Sequence, residues 1–310
     1  VTEAYIVKMA GNYWHTICVV FFFLPMICNS FLVQEQPLVL QYHKGALLKG
    51  KIAINLIWYG EFTPAQRSIV VDFVESLSAA GIGNSEPSVS SWWKTTSKYS
   101  AVGEAKSDAI SSAVRIANQV VDGDYSLGKA IHSDDLLTLA SKVTPAAGSI
   151  NVVLTAGDVT VDGFCMSRCG THGSIRGSAY LWVGNPETQC PGYCAWPFHQ
   201  PAYGPQAPPL LTPNADVGVD GMVITLASLL ANTVTNPFRG GYFQGPTQAP
   251  LEASSACTGI FGSGSYPGNP GHVLTDKISG ASFNAYGVRG RKYLLPSMWD
   301  PESSTCTTMV

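Results

Sequence analysis

Apolar residues first alternate regularly at 51–59, KIAINLIWY, where Ile52, Ile54 and Leu56 interleave with Ala53, Asn55 and Ile57. That pattern predicts a mostly buried strand ending at Gly60. The period then changes. Ile69, Val70, Phe73, Val74 and Leu77 fall three and four residues apart, the core-facing stripe of a helix with Thr63 as N-cap and Pro64 at its first position. Two more helices are predicted, one opened by Ser107-Asp108 and running to about Gln119, one capped by Ser133-Asp134-Asp135 and running to about Ser141. Residues 149–161, SINVVLTAGDVTV, read as a strand, and Ala179–Val183 as another. Pro191–Pro213 is a long loop with seven prolines. Met222–Val234 is apolar except for Thr225, Ser228, Asn232 and Thr233, which predicts a helix buried on all sides and stopped by Pro237; Asp216 and Asp220 precede or open it as capping carboxylates. The last seventy or so residues are glycine-rich loops and short strands. Strands, helices and strands in this order make the expected class α+β, in a single disulfide-bonded domain.

The N-terminus changes the compartment. Ile17–Cys28 is uncharged and broken only by Pro25, the length of a signal-peptide core rather than a membrane span, and Cys28-Asn29-Ser30 is an acceptable cleavage site before Phe31. Met9 is the expected start, so residues 1–30 are read as a signal peptide with an upstream extension, 31–50 as an N-terminal extension and 51–310 as the domain. Past residue 33 no segment is read as long and apolar enough to span a bilayer. The expectation is a secreted protein with no stable membrane insertion after signal cleavage.

Export in turn decides the cysteines. Of eight, Cys18 and Cys28 leave with the signal, and Cys165, Cys169, Cys190, Cys194, Cys257 and Cys306 remain. An even number in an oxidising compartment, in Cys-x₃-Cys pairs rather than Cys-x₂-Cys, favours three disulfides over a zinc site. The connectivity within 165–194 stays open. Only 13% of residues are charged and the net charge is −3, with no basic stripe, which argues against nucleic acid as a partner.

Several long motifs carry a resemblance. Phe164-Cys165-Met166-Ser167-Arg168-Cys169-Gly170, Trp182-Val183-Gly184-Asn185-Pro186, Gln189-Cys190-Pro191-Gly192, Cys194-Ala195-Trp196-Pro197-Phe198-His199-Gln200-Pro201, Asp216-Val217-Gly218-Val219-Asp220-Gly221-Met222 and Lys292-Tyr293-Leu294-Leu295-Pro296 resemble the plant EXORDIUM, or phosphate-induced protein 1, family. The match runs from about residue 38 to 310. It implies a secreted apoplastic or cell-wall protein linked to brassinosteroid-promoted growth and cell expansion, with no defined biochemical activity. A second, fainter resemblance is to a zincin active-site helix, over Leu226–Pro237. Such a site needs a His-Glu pair and a second ligand one turn on. Here Ser228, Leu229 and Asn232 stand in those places, so this likeness implies a zincin-like fold with its metal site lost. Glu252-x₄-Cys257 and the closing Trp299…Cys306 also resemble that group. Cys257 and Cys306 are expected to pair, fastening the tail to the core, and the zincin-like tail points to the same pair.

Candidate ligand residues are His172, His199, Trp196 and Glu252. Each has a plainer reading: His172 as a turn histidine in a disulfide-rich segment, Trp196 and Trp92-Trp93 as core rather than sugar-stacking rings. Gly262-Ser-Gly264-Ser-Tyr-Pro-Gly268 matches neither a P-loop nor a dinucleotide fingerprint and reads as a loop. No nucleophile elbow or intact His-Glu motif is present, so neither catalysis, a metal nor a cofactor is expected. The expected function is non-catalytic, with a cell-wall polysaccharide or an extracellular receptor as partner. The alternatives are a polysaccharide-binding protein and a wall-modifying hydrolase.

Overall fold

In a computed structural model that describes residues 37–78, 85–101, 110–166 and 168–310, the chain enters through a short strand, β1 (Gln41–Tyr42). The long strand β2 (Gly50–Tyr59) follows, then helices α1 (Pro64–Ser76) and α2 (Val89–Lys98) and strand β3 (Ile110–Asp122). Next come β4 (Ala130–Ile131), α3 (Ser133–Ala140), β5 (Ser149–Thr155), β6 (Thr160–Val161), β7 (Gly170–Ile175) and β8 (Ser178–Gly184). A four-residue turn of helix, α4 (Pro191–Cys194), precedes the long helix α5 (Val217–Thr235) and β9 (Tyr242–Phe243). The remainder is loop punctuated by the two- and three-residue strands β10 (Leu274–Thr275), β11 (Ser282–Phe283), β12 (Ala285–Tyr286), β13 (Lys292–Tyr293), β14 (Met298–Asp300) and β15 (Thr305–Thr307). The signal peptide and cleavage site predicted in the first 30 residues lie outside the described residues.

The centre is a five-stranded sheet of order β3-β2-β5-β8-β7. β2 runs parallel to β3 and β5, β5 runs parallel to β8, and only β7 at the edge is antiparallel. A mostly parallel sheet is covered on both faces, so its inner strands are continuously apolar rather than alternating. β5 is buried at every residue, as is β2 from Ile54 to Tyr59. This is a mixed α/β protein in which helices and strands alternate, a more interleaved arrangement than the α+β order expected from sequence. Within the 31–50 segment, Leu40, Leu47 and Leu48 are buried in the same core and Gln41–Tyr42 pairs with β9.

α1 starts as its capping residues dictate. Thr63 Oγ1 accepts from the Gln66 N–H at 3.2 Å and Gln66 Oε1 accepts from the Thr63 N–H at 3.0 Å, a capping box with Pro64 at the first position. α3 begins one residue earlier than its predicted cap, with His132 at the N-cap and Asp135 accepting from the His132 N–H at 2.7 Å. The predicted helix from 107 to 119 is a strand. β3 presents Val114, Ile116, Val120 and Val121 to a pleated surface, where β-branched side chains fit better than in a helix, and its pairing with β2 decides the matter; Ser107-Asp108 lie outside the described residues. The strand expected over 149–161 ends at Thr155, and β6 is a separate short strand.

α5 is the hub. Asp216 caps it by accepting from the Val219 N–H at 2.8 Å, and Met222, Leu226, Leu230 and Val234 are wholly buried. It touches β7, β8, α1, α2 and α4. At 19 residues it is long and apolar enough to cross a membrane, which corrects the expectation that no such segment follows residue 33; 78% of its most apolar window is buried inside the protein. The loop-rich C-terminal part is held by polar anchors rather than by long ladders. Tyr293 donates to Ile69 O at 2.9 Å, Trp92 Nε1 donates to Pro296 O at 2.7 Å, and Asn284 Nδ2 donates to Phe261 O and Leu295 O at 2.9 and 2.7 Å. Asp72 of α1 receives Arg289 and Arg291 at 2.5 and 3.0 Å.

Three disulfides are present: Cys165–Cys190, Cys169–Cys194 and Cys257–Cys306. The last is the expected tail clamp, and the first two resolve the connectivity left open within 165–194. Cys257–Cys306 spans 49 residues; closing a loop of that size restricts the unfolded chain by roughly 4 kcal/mol in the chain-entropy model. Replacing both with Ser should lower the melting temperature by several degrees and expose the 298–310 tail to protease, while peptide mapping still finds the other four cysteines oxidised. Unchanged thermal unfolding in the double variant would refute a stabilising role for this bond.

Asp220, in the first turn of α5, is 2% exposed and accepts from Asn214 N and Nδ2 at 2.9 and 2.6 Å. Burial pushes its carboxyl up to about 7, against the pull of those donors. A carboxyl raised in the folded state adds stability that is complete below its unfolded pKa of about 4 and is lost as pH rises through the folded value. Asp276, held far below the usual carboxylate range chiefly by Lys292, does not titrate in that window. Between pH 5 and 8 the wild-type melting temperature should therefore fall relative to that of Asp220→Asn, whatever the variant's absolute stability. Parallel pH profiles for the two proteins would contradict this assignment.

Candidate functional site

Two clefts flank strand β7, one at its N-terminal root and one along its edge. At the root, Cys169 immediately precedes β7 and is bonded to Cys194 at the end of α4, so the edge strand and the Pro191–Pro213 loop are one cross-linked unit. Over this knot lies a groove of about 820 Å³ walled by Tyr193, Trp196, Tyr203 and Tyr266, with Pro201, Pro205, Pro267, Thr258 and Ser265 among its other lining residues. No charged side chain lines it. Trp196 is half-buried and fixed against Phe261, with ring centroids 5.7 Å apart, in a small apolar cluster that also holds Phe198 and Leu294. Tyr193, Tyr203 and Tyr266 are 40%, 82% and 63% exposed, an unusual density of solvent-facing rings. Gly221 lets α5 approach: a Cβ there would lie 2.9 Å from Ala195 Cα.

The second cleft, of about 760 Å³, runs along β7 and is polar. His172, Leu229, Asn232 and Glu252 all line it, with Tyr180, Phe238 and Arg239. His172 Nε2 and Glu252 Oε2 are 2.8 Å apart, both side chains largely buried. Glu252 Oε1 accepts from Asn236 Nδ2 at 2.7 Å, and Asn236 Oδ1 accepts from Gly241 N at 2.8 Å. His172 Nδ1 is buried with no partner among the described residues. Burial raises the Tyr180 hydroxyl above its ordinary pKa, against the pull of Arg239 and Arg168. Gly170 permits the close contact of β7 with α5: a Cβ there would meet Trp182 O at 2.4 Å and Leu229 Cδ1 at 2.8 Å.

The structure thus joins His172 to Glu252, 80 residues apart in sequence, and separates both from Trp196, which belongs to the groove. His199 lines neither cleft; it is exposed, and its Nδ1 bonds Gln200 O at 3.0 Å. Trp92 and Trp93 are 2% and 1% exposed, so they are core and form no sugar platform. The helix residues Ser228, Leu229 and Asn232 have structural work. Asn232 Oδ1 accepts from Ser254 N at 2.8 Å, Ser254 Oγ donates to Ser228 Oγ at 3.1 Å, and Leu229 packs where Gly170 approaches. Together they hold the loop that carries Glu252. Among the described residues no group of His, Cys, Asp and Glu is placed to hold a metal ion.

Comparison with known proteins decides the family. The family model described as the phosphate-induced protein 1 conserved region matches residues 40–309. Protein EXORDIUM-like 2 of Arabidopsis thaliana is 58% identical over 313 residues, covering 97% of this chain and all of that protein. Protein PHOSPHATE-INDUCED 1 of Nicotiana tabacum is 58% identical over 289 residues, covering 90% of this chain and 91% of its own length. Protein EXORDIUM of Arabidopsis thaliana is 56% identical over 282 residues, covering 88% and 90%. The chain belongs to the EXORDIUM/phosphate-induced protein 1 family. No solved structure matches. The expected zincin-like fold therefore finds no support, and the helix positions that prompted it serve packing.

Sequence reading of this EXORDIUM-family chain missed Tyr180, Asn236, Arg239, Tyr203 and Tyr266 as site residues. Only Tyr203 and Tyr266 left a signal, as lone aromatics set among prolines and glycines. The His172–Glu252 pair leads to a further expectation. Glu252→Ala strands His172 Nε2 and the Asn236 amide together, and leaving such buried groups without a partner costs about 1–3 kcal/mol. Urea denaturation of Glu252→Ala, His172→Leu and the double variant should give a double change smaller than the sum of the singles. Additive losses would show that the two side chains are not coupled.

Proposed function

We propose that this EXORDIUM-family chain is exported to the plant wall space, where it regulates brassinosteroid-linked growth and cell expansion by binding rather than by catalysis, and that its ligand is a neutral wall polysaccharide seated in the aromatic groove. Export is supported by the apolar stretch at Ile17–Cys28 and by three disulfides, which persist in oxidising compartments. The observation that carries the ligand is the groove itself. Sugar rings offer an apolar face of C–H groups and a rim of hydroxyls. Tyr193, Trp196, Tyr203 and Tyr266 offer flat faces for the first, and Thr258, Ser265 and the tyrosine hydroxyls offer partners for the second. With no cation in its walls, the groove favours a neutral glycan over an acidic one.

The same reading favours binding over hydrolysis. Glycoside cleavage in most families employs two carboxyl groups flanking the bond. The groove has none, and the polar cleft has only Glu252, which is already engaged by His172 and Asn236. Cellohexaose titrated calorimetrically against the purified protein should bind, and Tyr203→Ala and Tyr266→Ala should each weaken it about three- to tenfold, the worth of one stacked ring. Both rings are largely exposed, so melting temperatures should stay near wild type. Polygalacturonate should bind less well. Absence of cellohexaose binding, or binding indifferent to both variants, would sink the glycan reading.

A further inference from the structure

Among the described residues β7 is an edge strand with no partner on its outer side. Of the described strands it pairs with β8 alone, in unbroken antiparallel register from Gly170↔Val183 to Ile175↔Ser178. The connecting turn is the two residues Arg176-Gly177, both at positive φ (48° and 79°), the type I′ geometry of a tight hairpin. In such a hairpin the residues flanking the turn form a hydrogen-bonded pair, and bonded pairs then alternate down the ladder. Ile175, Gly173 and Thr171 therefore direct their N–H and C=O groups to β8, consistent with the next bond of that phase, from Gly184 N to Cys169 O at 3.2 Å. Gly170, His172 and Ser174 direct theirs outward, along the polar cleft. Native edges are usually blunted by proline, lysine or a bulge. This one has none of these and is walled into a cleft on its open side.

The cleft's charge narrows the occupant. Its ionisable lining residues are His172, Glu252 and Arg239. The first two are engaged with each other, His172 Nε2 lying 2.8 Å from Glu252 Oε2. Arg239 is exposed and pairs with no carboxylate among the described residues, and Phe238 beside it is 41% exposed. We infer that the cleft binds an extended peptide segment carrying an acidic residue, which adds as a further strand to β7 and places its carboxylate on Arg239. Outward groups two residues apart repeat at about 6.8 Å, the period of an extended peptide. Strand addition supplies affinity through the backbone, and the Arg239 contact selects the side chain. This site is independent of the aromatic groove.

The test is panning of the full chain against a displayed library of linear nonapeptides with a fixed central Asp or Glu. Recovered sequences are then synthesised and titrated by fluorescence anisotropy. Arg239→Gln should weaken binding about tenfold, the size of one partly desolvated ion pair, and remove the preference for an acidic over a lysine-centred peptide. Ser174→Pro removes an outward N–H without touching the bonds to β8, and should weaken binding similarly. N-methylation of the peptide should abolish binding at alternate amides and spare the others, a phase dependence that needs no change to the protein. Tyr203→Ala should leave peptide affinity unchanged, which separates this site from the glycan groove. Failure to enrich any peptide over a blank surface overturns the inference. So does binding indifferent to Arg239 and to methylation phase, or displacement of the peptide by cellohexaose.

Discussion

The whole domain leans on one constraint: α5 is apolar on every side and must be covered on every side. The sheet, α1, α2 and the disulfide knot supply that cover. Two glycines set how closely they do so, Gly170 where β7 meets Leu229 and Gly221 where α5 meets Cys194-Ala195. Each of these contacts lies beside one of the two clefts. The core helix therefore fixes both sites from within, and neither site has to be built from loops alone. That matters because the walls of the aromatic groove are largely loop, as is one side of the polar cleft, and loop has little regular hydrogen bonding of its own.

Disulfides and polar anchors do in the C-terminal half what ladders do in the sheet. Cys169–Cys194 couples the root of β7 to the aromatic loop, and Cys257–Cys306 closes the tail on the segment just after Glu252. Between them, side-chain amides such as Asn232, Asn236 and Asn284 satisfy backbone groups that would otherwise be buried without partners. A chain with 51 glycines and prolines among 310 residues holds a defined shape in this way without long strands.

The legible parts of the fold were those where one short-range signal sufficed. β2, α1 with its Thr63 box and α5 with its Asp216 cap announce themselves by period and cap. The Ile110–Asp122 strand was misread as a helix because its polar and apolar residues follow no clean period; as an edge strand it is buried only intermittently, and its partner β2 is far away in sequence. β7 was invisible as a strand, since Gly-Thr-His-Gly-Ser-Ile has almost no β pattern and is held by its hairpin with β8. Of the candidate site, His172, Glu252 and Trp196 were each singled out from sequence, but not their grouping. That His172 faces Glu252 while Trp196 faces the groove follows from the β7–α5 approach, a tertiary fact. The family motifs were recognisable because they are long and rare, whereas the zincin likeness rested on one helix and a tail pattern and finds no support, although the Cys257–Cys306 bond to which that tail pointed is present.

If the chain is exported as proposed, the same helix has a consequence during biosynthesis. An exported chain crosses a membrane unfolded, and a 19-residue stretch apolar enough to serve as the centre of a core is one that a bilayer would also accept. Lodging there is opposed by the few polar residues the helix retains. Asp220 carries a cost of about 2.5–3.5 kcal/mol at mid-bilayer and less near an end, and Asn232 and Ser228 add to it. In the folded domain these three are bound to Asn214 and to Ser254. Under the proposed export they would act before folding against stalling in transit, and substituting them by leucine would tilt the segment towards retention in the membrane.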